Sequence, residues 1–225
     1  MFPSLQDKVI IITGATGGLG TAVVERFHDE GALLALVDRQ SNAIQDTFAH
    51  LENFLAVNEI DVTSQTDVSR MVELVSGHFG HIDGLINIAG GYRAGTSVHE
   101  TDLETWEFMM NLNAKSAFLT CHAVIPHMLT HGGFVINIGA KNGIEGTARS
   151  AAYSASKSAV FRLTESLSKE VASNGIRVNA VYPSSIDTDG SGKGVSPQSL
   201  AGIIAFLASD MARDIRGALI PVLGN

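Results

Sequence analysis

Seven short apolar runs alternate with amphipathic stretches along the whole chain, at 8–12, 33–37, 54–59, 84–87, 134–138, 177–181 and 218–222. Each is β-branched or otherwise apolar and is bounded by Gly, Asp, Asn or Pro, which suits a strand covered on both faces. Between them, helical spacing predicts helices over 19–30, 43–51, 65–79, 102–130, 152–173 and 197–208. Ser64 with Asp67 and Thr101 with Glu104 fit helix starts, while Gly31 and the Asn174-Gly175 pair fit helix ends. Strand, helix, strand repeated in this way implies an α/β fold with a doubly wound, seven-stranded parallel sheet of Rossmann type. No internal repeat or linker divides the chain, so residues 1–225 are expected to form a single domain, a length that such sheets reach. The one shift in composition is the Gly- and Ser-rich segment 187–197, expected to be a mobile surface loop.

Composition narrows the partners. Hydrophobic residues make up 45% of the chain and charged residues 17%, enough apolar material for a core without external help. Fifteen Lys and Arg stand against 23 Asp and Glu, for a net charge of −8, and no basic stripe could track a phosphate backbone. Nucleic acid is therefore not expected as a partner. The apolar run at 9–12 is far too short to span a bilayer, and the start of the chain has neither the basic residues nor the cleavage site of a secretory signal. A cytoplasmic location with no membrane partner is the expectation. The single cysteine, Cys121, sits in an apolar helical pattern and is expected to be a buried thiol in a reducing compartment.

The first strand runs into Thr13-Gly14-Ala15-Thr16-Gly17-Gly18-Leu19-Gly20, which opens a helix. Gly14 suits a tight turn, Gly18 a backbone that must approach a pyrophosphate, and Gly20 close helix packing, with the helix N-terminus facing the anion. Thr16 and Leu19 belong to the same expected cofactor-binding turn. Asp38 ends the second strand, eighteen positions after Gly20. A carboxylate there accepts hydrogen bonds from the adenosine ribose and repels a 2′-phosphate, which favours NAD(H). Arg39 follows directly and could pair with a 2′-phosphate, so NADP(H) stays open as an alternative.

The spacing T-G-x-x-x-G-x-G, together with Tyr153-Ser154-Ala155-Ser156-Lys157, resembles the short-chain dehydrogenase/reductase family over nearly the whole chain. The resemblance implies a nicotinamide-dependent oxidoreductase. It casts Tyr153, Lys157 and Asn113 as catalytic residues, with Asn113 matching the asparagine that holds a water linked to the lysine. It also implies cofactor contacts from Asp61 and Val62 at the adenine; from Asn87, Ala89 and Gly90 after the fourth strand; and from Pro183, Ile186 and Thr188 at the nicotinamide carboxamide, with Tyr153 and Lys157 also touching the cofactor. Ile88 and Ser184 replace the usual Asn and Gly of these segments. One departure matters more: the family's catalytic serine position, thirteen residues before Tyr153, is Ala140.

Tyr153 and Lys157 stand four apart, so one helix face presents both. A free tyrosine, with a pKa near ~10, is only about 0.1% ionised at neutral pH. A neighbouring ammonium and a cationic nicotinamide are expected to lower that pKa and make Tyr153 a general acid or base. Losing a donor such as the missing serine typically costs about 2.7–4 kcal/mol, or roughly two to three decades in rate. Either another donor replaces it, with Asn142, Ser154 and Tyr92 as candidates by position, or the substrate spreads its charge. Tyr92, Ala140 and Asn142 are expected in the substrate pocket. Quinonoid dihydropteridine reductase, a family member that this chain resembles at Gly139-Ala140-Lys141, at Ala89-Gly90-Gly91-Tyr92 and at Ile186-Asp187-Thr188, acts on such a conjugated ring.

The eight histidines show no ligand spacing backed by acids, so no metal is expected, and His127 and His131 fit a helix-end charge role. Trp106, Phe108 and Met109 are expected as core or subunit contacts, and the helices beginning at Asp102 and Ala152 are apolar enough to pair subunits into a homodimer or homotetramer. Three readings follow: an oxidoreductase acting on a small-molecule carbonyl or alcohol, a reductase of a conjugated ring, and a nucleotide-sensing protein without turnover.

Overall fold

A computed structural model describes residues 1–224. Its strands are β1 (Val9–Thr13), β2 (Leu33–Val37), β3 (Phe54–Val57), β4 (Gly84–Asn87), β5 (Gly133–Ile138), β6 (Ile176–Pro183) and β7 (Leu219–Val222). The helices are α1 (Gly18–Asp29), α2 (Ala43–Thr47), α3 (Gln65–Phe79), α4 (Leu103–Met109), α5 (Ser116–Val124), α6 (Ala151–Glu170) and α7 (Pro197–Ala208). The strands form one sheet in the order β3-β2-β1-β4-β5-β6-β7, every neighbouring pair parallel. The expected doubly wound sheet is therefore present with all seven strands.

Burial on both faces explains the apolar runs. In β1, Ile10 and Ile12 join one core layer with residues of α1, α2 and α7, while Val9 and Ile11 join the other with residues of α3 and α5. Successive side chains of a strand point to opposite faces, so a strand covered by helices on both sides has no position for a solvated residue. β1 lies between β2 and β4, and the chain leaves it first in one direction and later in the other. Such a reversal opens a crevice at the carboxyl ends of the strands. Thr13 and Asn87 stand opposite each other at that edge, and the Thr13 hydroxyl accepts from the amides of Ile88 (3.2 Å) and Ala89 (3.3 Å).

Local chemistry sets most boundaries. The Ser64 hydroxyl accepts from the Asp67 amide and starts α3, as its spacing implies. Gly31 takes φ of +79° just after α1, where a side chain would be strained. β3 stops at Val57 rather than 59 because Glu59 is left-handed, with φ of +57°. At the next helix the cap is Asp102, which accepts from the Thr105 amide, and not the expected Thr101. α2 is a single turn anchored by Ile44 and Phe48, shorter than expected.

The helix expected over 102–130 is three pieces. α4 passes into a π-helical turn at Met110–Lys115, where the Ser116 amide donates to the Asn111 carbonyl, and α5 resumes and ends at Val124. Pro126 lacks the amide that a continuing helix needs, and a 3₁₀ turn, Ile125–His127, follows. His127 lies in that turn, and His131 beyond it has its ring nitrogen 3.0 Å from the Ile82 carbonyl oxygen. The segment 187–197, read from sequence as a surface loop, contains its own contacts. The Asp187 carboxylate accepts from the amides of Ser191 and Gly192, both at 2.9 Å, and Ile186 bridges Val195 in parallel. Among the described residues no helix is long and apolar enough to cross a membrane.

Candidate functional site

The first turn of α1 opens on the crevice. Its N-cap is Gly17, with no side-chain cap and no acid in the first turn, so helix-end amides there have no internal acceptor. Gly14 takes φ of +66°, and a Cβ on it would lie 2.9 Å from the Ala89 backbone. At Gly20 a Cβ would run into the Gly14 carbonyl, so this glycine lets the helix start close to the strand, as its spacing implies. A Cβ at Gly18 would come within 2.6 Å of the Thr188 methyl. Gly18 therefore admits the 187–197 segment against the turn, in addition to any backbone approach by a ligand.

A cleft of about 910 Å³ runs from this turn to α6, lined by Gly14, Thr16, Gly18 and Leu19, by Asp38, and by Ala89, Gly90 and Tyr92. Its far side carries Ala140, Asn142, Tyr153, Lys157, Pro183, Ile186 and Thr188. A second cavity of about 530 Å³ adjoins it and shares Gly14, Asp38, Ala89 and Gly90. Arg39, Asp61 and Val62 line this one, so two groups of expected cofactor residues form one continuous surface. The Thr16 hydroxyl donates to Asp38 at 2.6 Å, and the Gln40 amide donates to the other oxygen at 3.2 Å, which fixes the carboxylate at the junction. The Thr63 hydroxyl holds the Asp61 carboxyl below its usual pKa, with the charges of Arg39 and Lys115 adding to the effect.

A dinucleotide fits this surface. The uncapped helix N-terminus would receive the pyrophosphate, Asp38 the ribose hydroxyls, and the cavity beside Val62 the adenine.

Tyr153 and Lys157 share one face of α6. Lys157 is buried at 6% exposure and its Nζ donates to the Ile138 carbonyl at 2.8 Å; burial pulls its pKa down to about 8. Burial also pushes the Tyr153 phenol up to about 12, and the phenol of Tyr92 adds to the rise. Burial is the larger influence on this phenol, ahead of Tyr92. Asn113 lies in the π turn, fully buried. Its Oδ1 accepts from the Gly91 amide at 3.0 Å, and its Nδ2 donates to the Gly91 carbonyl at 3.1 Å and to the Ser156 hydroxyl at 3.0 Å. Ser156 in turn donates to the Tyr153 carbonyl at 2.7 Å. Asn113 is therefore tied to Gly91 directly and, through Ser156, to the backbone of Tyr153.

The side chains of two expected residues are engaged by neighbours. The Asn87 side chain turns into the interior, donating to Asn137 at 2.9 Å and accepting from Thr120 at 2.8 Å, so only the backbone it leads into reaches the cleft. Its amide also lies 3.6 Å from Cys121 Sγ, and the buried thiol is pushed up to about 12 by desolvation, which leaves it inert. Asn142 lines the cleft but spends its amide on Thr147 and Ser150. Phe108, assigned by sequence to core or subunit contact, lines the second cavity with Asn111 and Leu112 and lies under the Arg93 guanidinium at 4.3 Å. Met109 is fully buried, whereas Trp106 is partly exposed. The signal for Phe108 is its place one helical turn and a half before Asn113, on the segment that borders the crevice.

A parallel sheet whose switch point meets an uncapped, glycine-opened helix is a dinucleotide-binding α/β fold. The model of the short chain dehydrogenase family matches residues 8–198, and the chain belongs to that family of oxidoreductases. An uncharacterised oxidoreductase of Staphylococcus saprophyticus is 38% identical over 193 residues, spanning 84% of this chain and 82% of its own. The meso-2,3-butanediol dehydrogenase of Serratia marcescens is 34% identical over 98% of this chain and 94% of its own. Among solved structures, a blue fluorescent protein from a metagenomic library in complex with NADPH superposes with a TM-score of 0.88 at 31% identity, covering 98% of both chains. A short chain dehydrogenase from Mycobacterium smegmatis gives 0.89 at 29% identity, covering 98% of this chain and 93% of that one.

Proposed function

We propose that this protein interconverts a small carbonyl compound and its alcohol with NAD(H) as redox partner and Tyr153 as general acid and base. The observation that carries the reading is the placement of Tyr153 and Lys157 on the wall of the same cleft that the glycine turn and Asp38 open on. The nicotinamide supplies or takes the hydride. A phenol held up near 12 stays protonated at neutral pH, so Tyr153 is poised to give its proton to the oxygen of a carbonyl under reduction. Asn113 holds the loop after β4 at Gly91 and, through Ser156, the turn that carries Tyr153. Lys157 orders the cleft floor at Ile138 and adds positive charge near neutrality.

Asp38 favours NAD(H), because a 2′-phosphate would meet its carboxylate; the likeness to an NADPH complex makes NADP(H) the competitor to measure. The likeness to a butanediol dehydrogenase suggests short vicinal diols and hydroxyketones as first substrates. We also propose a homodimer or homotetramer built on α4, α5 and α6, supported by the exposed Leu103, Trp106 and Phe118.

The test is a panel of butane-2,3-dione, 3-hydroxybutan-2-one, cyclohexanone, benzaldehyde and a quinonoid dihydropterin, each followed by loss of NADH or NADPH absorbance. Reduction of carbonyls with NADH preferred supports the reading. Reduction of the pterin alone would replace it with the conjugated-ring reading, and binding of NADH without any turnover would replace it with nucleotide sensing.

A further inference from the structure

The cleft wall next to Tyr153 carries a methyl group, Ala140, which is buried and has no hydrogen to donate to a substrate oxygen. Three polar side chains stand next to it or to Tyr153 in sequence. Asn142 donates to Thr147 Oγ1 at 2.7 Å and to Ser150 Oγ at 3.3 Å. Ser154 is buried with its hydroxyl 3.3 Å from that of Ser150. Lys141 is exposed and lies 3.9 Å from Glu145. All three have neighbouring side chains as partners.

Tyr92 differs. Its ring meets that of Tyr153 edge to face, with centroids 4.8 Å apart and planes at 90°. It lines the same cleft and is 68% exposed, and among the described residues its hydroxyl is held by no neighbour. An edge-to-face pair is a favoured aromatic geometry, so the Tyr153 ring itself orients Tyr92. The backbone just before it is fixed as well. Asn113 clamps both the amide and the carbonyl of Gly91, and a side chain at Gly91 would come within 2.7 Å of Leu112.

We propose that Tyr92 is the second hydroxyl of the site and donates a hydrogen bond to the same substrate oxygen that Tyr153 protonates. This rests on the proposed function. In reduction, hydride from the reduced nicotinamide forms the new C–H bond, and the C=O π pair moves onto oxygen. The proton then comes from Tyr153, whose phenolate is reprotonated by solvent. Tyr92 keeps its proton throughout and stabilises charge as it develops on that oxygen. The substrate class that benefits is a carbonyl with charge localised on one oxygen, since a conjugated ring spreads the charge and gains little from a second donor.

The experiment uses the unaltered protein, Tyr92→Phe, Ala140→Ser and the double variant, with NADH and the fastest carbonyl of the panel above. Removing one such donor typically lowers kcat by about 10²–10³, and for an exposed phenol the lower end is expected. KM and NADH affinity, read by fluorescence titration, should stay within about twofold, because the bond strengthens only in the transition state. Ala140→Ser in the Tyr92→Phe background should recover at least about tenfold, since a hydroxyl at that position can donate in its place. A second readout needs no substrate. In a Tyr182→Phe background, absorbance titration of the phenols should show Tyr153 ionising at lower pH once Tyr92 is Phe. A Tyr92→Phe enzyme as fast as the parent, a double variant no faster than Tyr92→Phe, or an unmoved Tyr153 titration overturns the assignment. If no carbonyl is reduced by the unaltered protein, the proposed function fails and takes this inference with it, whereas an active protein indifferent to Tyr92→Phe sinks this inference alone.

Discussion

Lys157 costs the fold stability, and replacing it with Met should show how much. Burial draws its pKa from 10.5 to about 8, and at about 1.4 kcal/mol per unit the protonated side chain is roughly 3 kcal/mol worse off in the fold than in the unfolded chain. The Met variant also loses the 2.8 Å bond and leaves the buried Ile138 carbonyl without that donor, which costs about 1–3 kcal/mol. Lys157→Met should therefore be more stable at pH 7 by roughly 1 kcal/mol, a rise of about 2–4 °C in Tm for a chain of this size. The sign of the pH dependence is fixed by linkage. With the folded pKa depressed, the unfolded chain binds more protons between about pH 8 and 10.5, so the stability of the parent rises with pH across that window. The raised pKa of Tyr153 acts in the opposite direction above pH 10, but it is present in both proteins and cancels in the difference. Urea denaturation of both proteins at pH 7, 8, 9 and 10 reads that difference directly. The advantage of Met should shrink steadily above pH 8 while its turnover stays far below the parent's. An advantage that is constant or grows with pH would mean that burial does not depress the Lys157 pKa.

Asp38→Ala should narrow the preference for NAD(H) over NADP(H), as read by titrating both cofactors; unchanged selectivity would remove Asp38 as its source. Asn113→Ala deletes three side-chain bonds to Gly91 and Ser156. At about 0.5–1.5 kcal/mol each, roughly 2–4 kcal/mol of stability should go, seen as a lower urea midpoint with lower kcat. A variant as stable as the parent would show that these bonds do not hold the site together.

Much of this architecture is legible in the residues because the chemistry that fixes it is local. The runs around Ile10 and Leu34 cannot be solvated on either face, Gly14 and Gly31 occupy backbone conformations that punish a side chain, and Ser64 caps the amide three residues on. The part that is not legible depends on contacts distant in the chain or on hydrogen-bond register. Nothing in Met110 to Lys115 marks a π turn, because the shift from i−4 to i−5 acceptors leaves no residue signature, yet this segment is what carries Asn113 to Gly91. Asn87 looks like a site residue by position, but Asn137 and Thr120, from β5 and α5, claim its amide. The Tyr92 and Tyr153 rings, 61 positions apart in the chain, meet only in the folded state. The pKa of Tyr153 likewise follows from how deeply α6 is buried, which spacing alone does not give.

In the proposed reaction Tyr153 moves the proton while the rest of the cleft binds the nicotinamide. Tyr153→Phe keeps the ring and its packing on Tyr92 and removes only the hydroxyl. With the best carbonyl of the panel, its single-turnover rate should fall by roughly 10² or more, the scale of a lost general acid, while the Kd for NADH stays within about twofold of the parent's. A Tyr153→Phe protein that reduces the same carbonyl at the parent's rate would contradict the account.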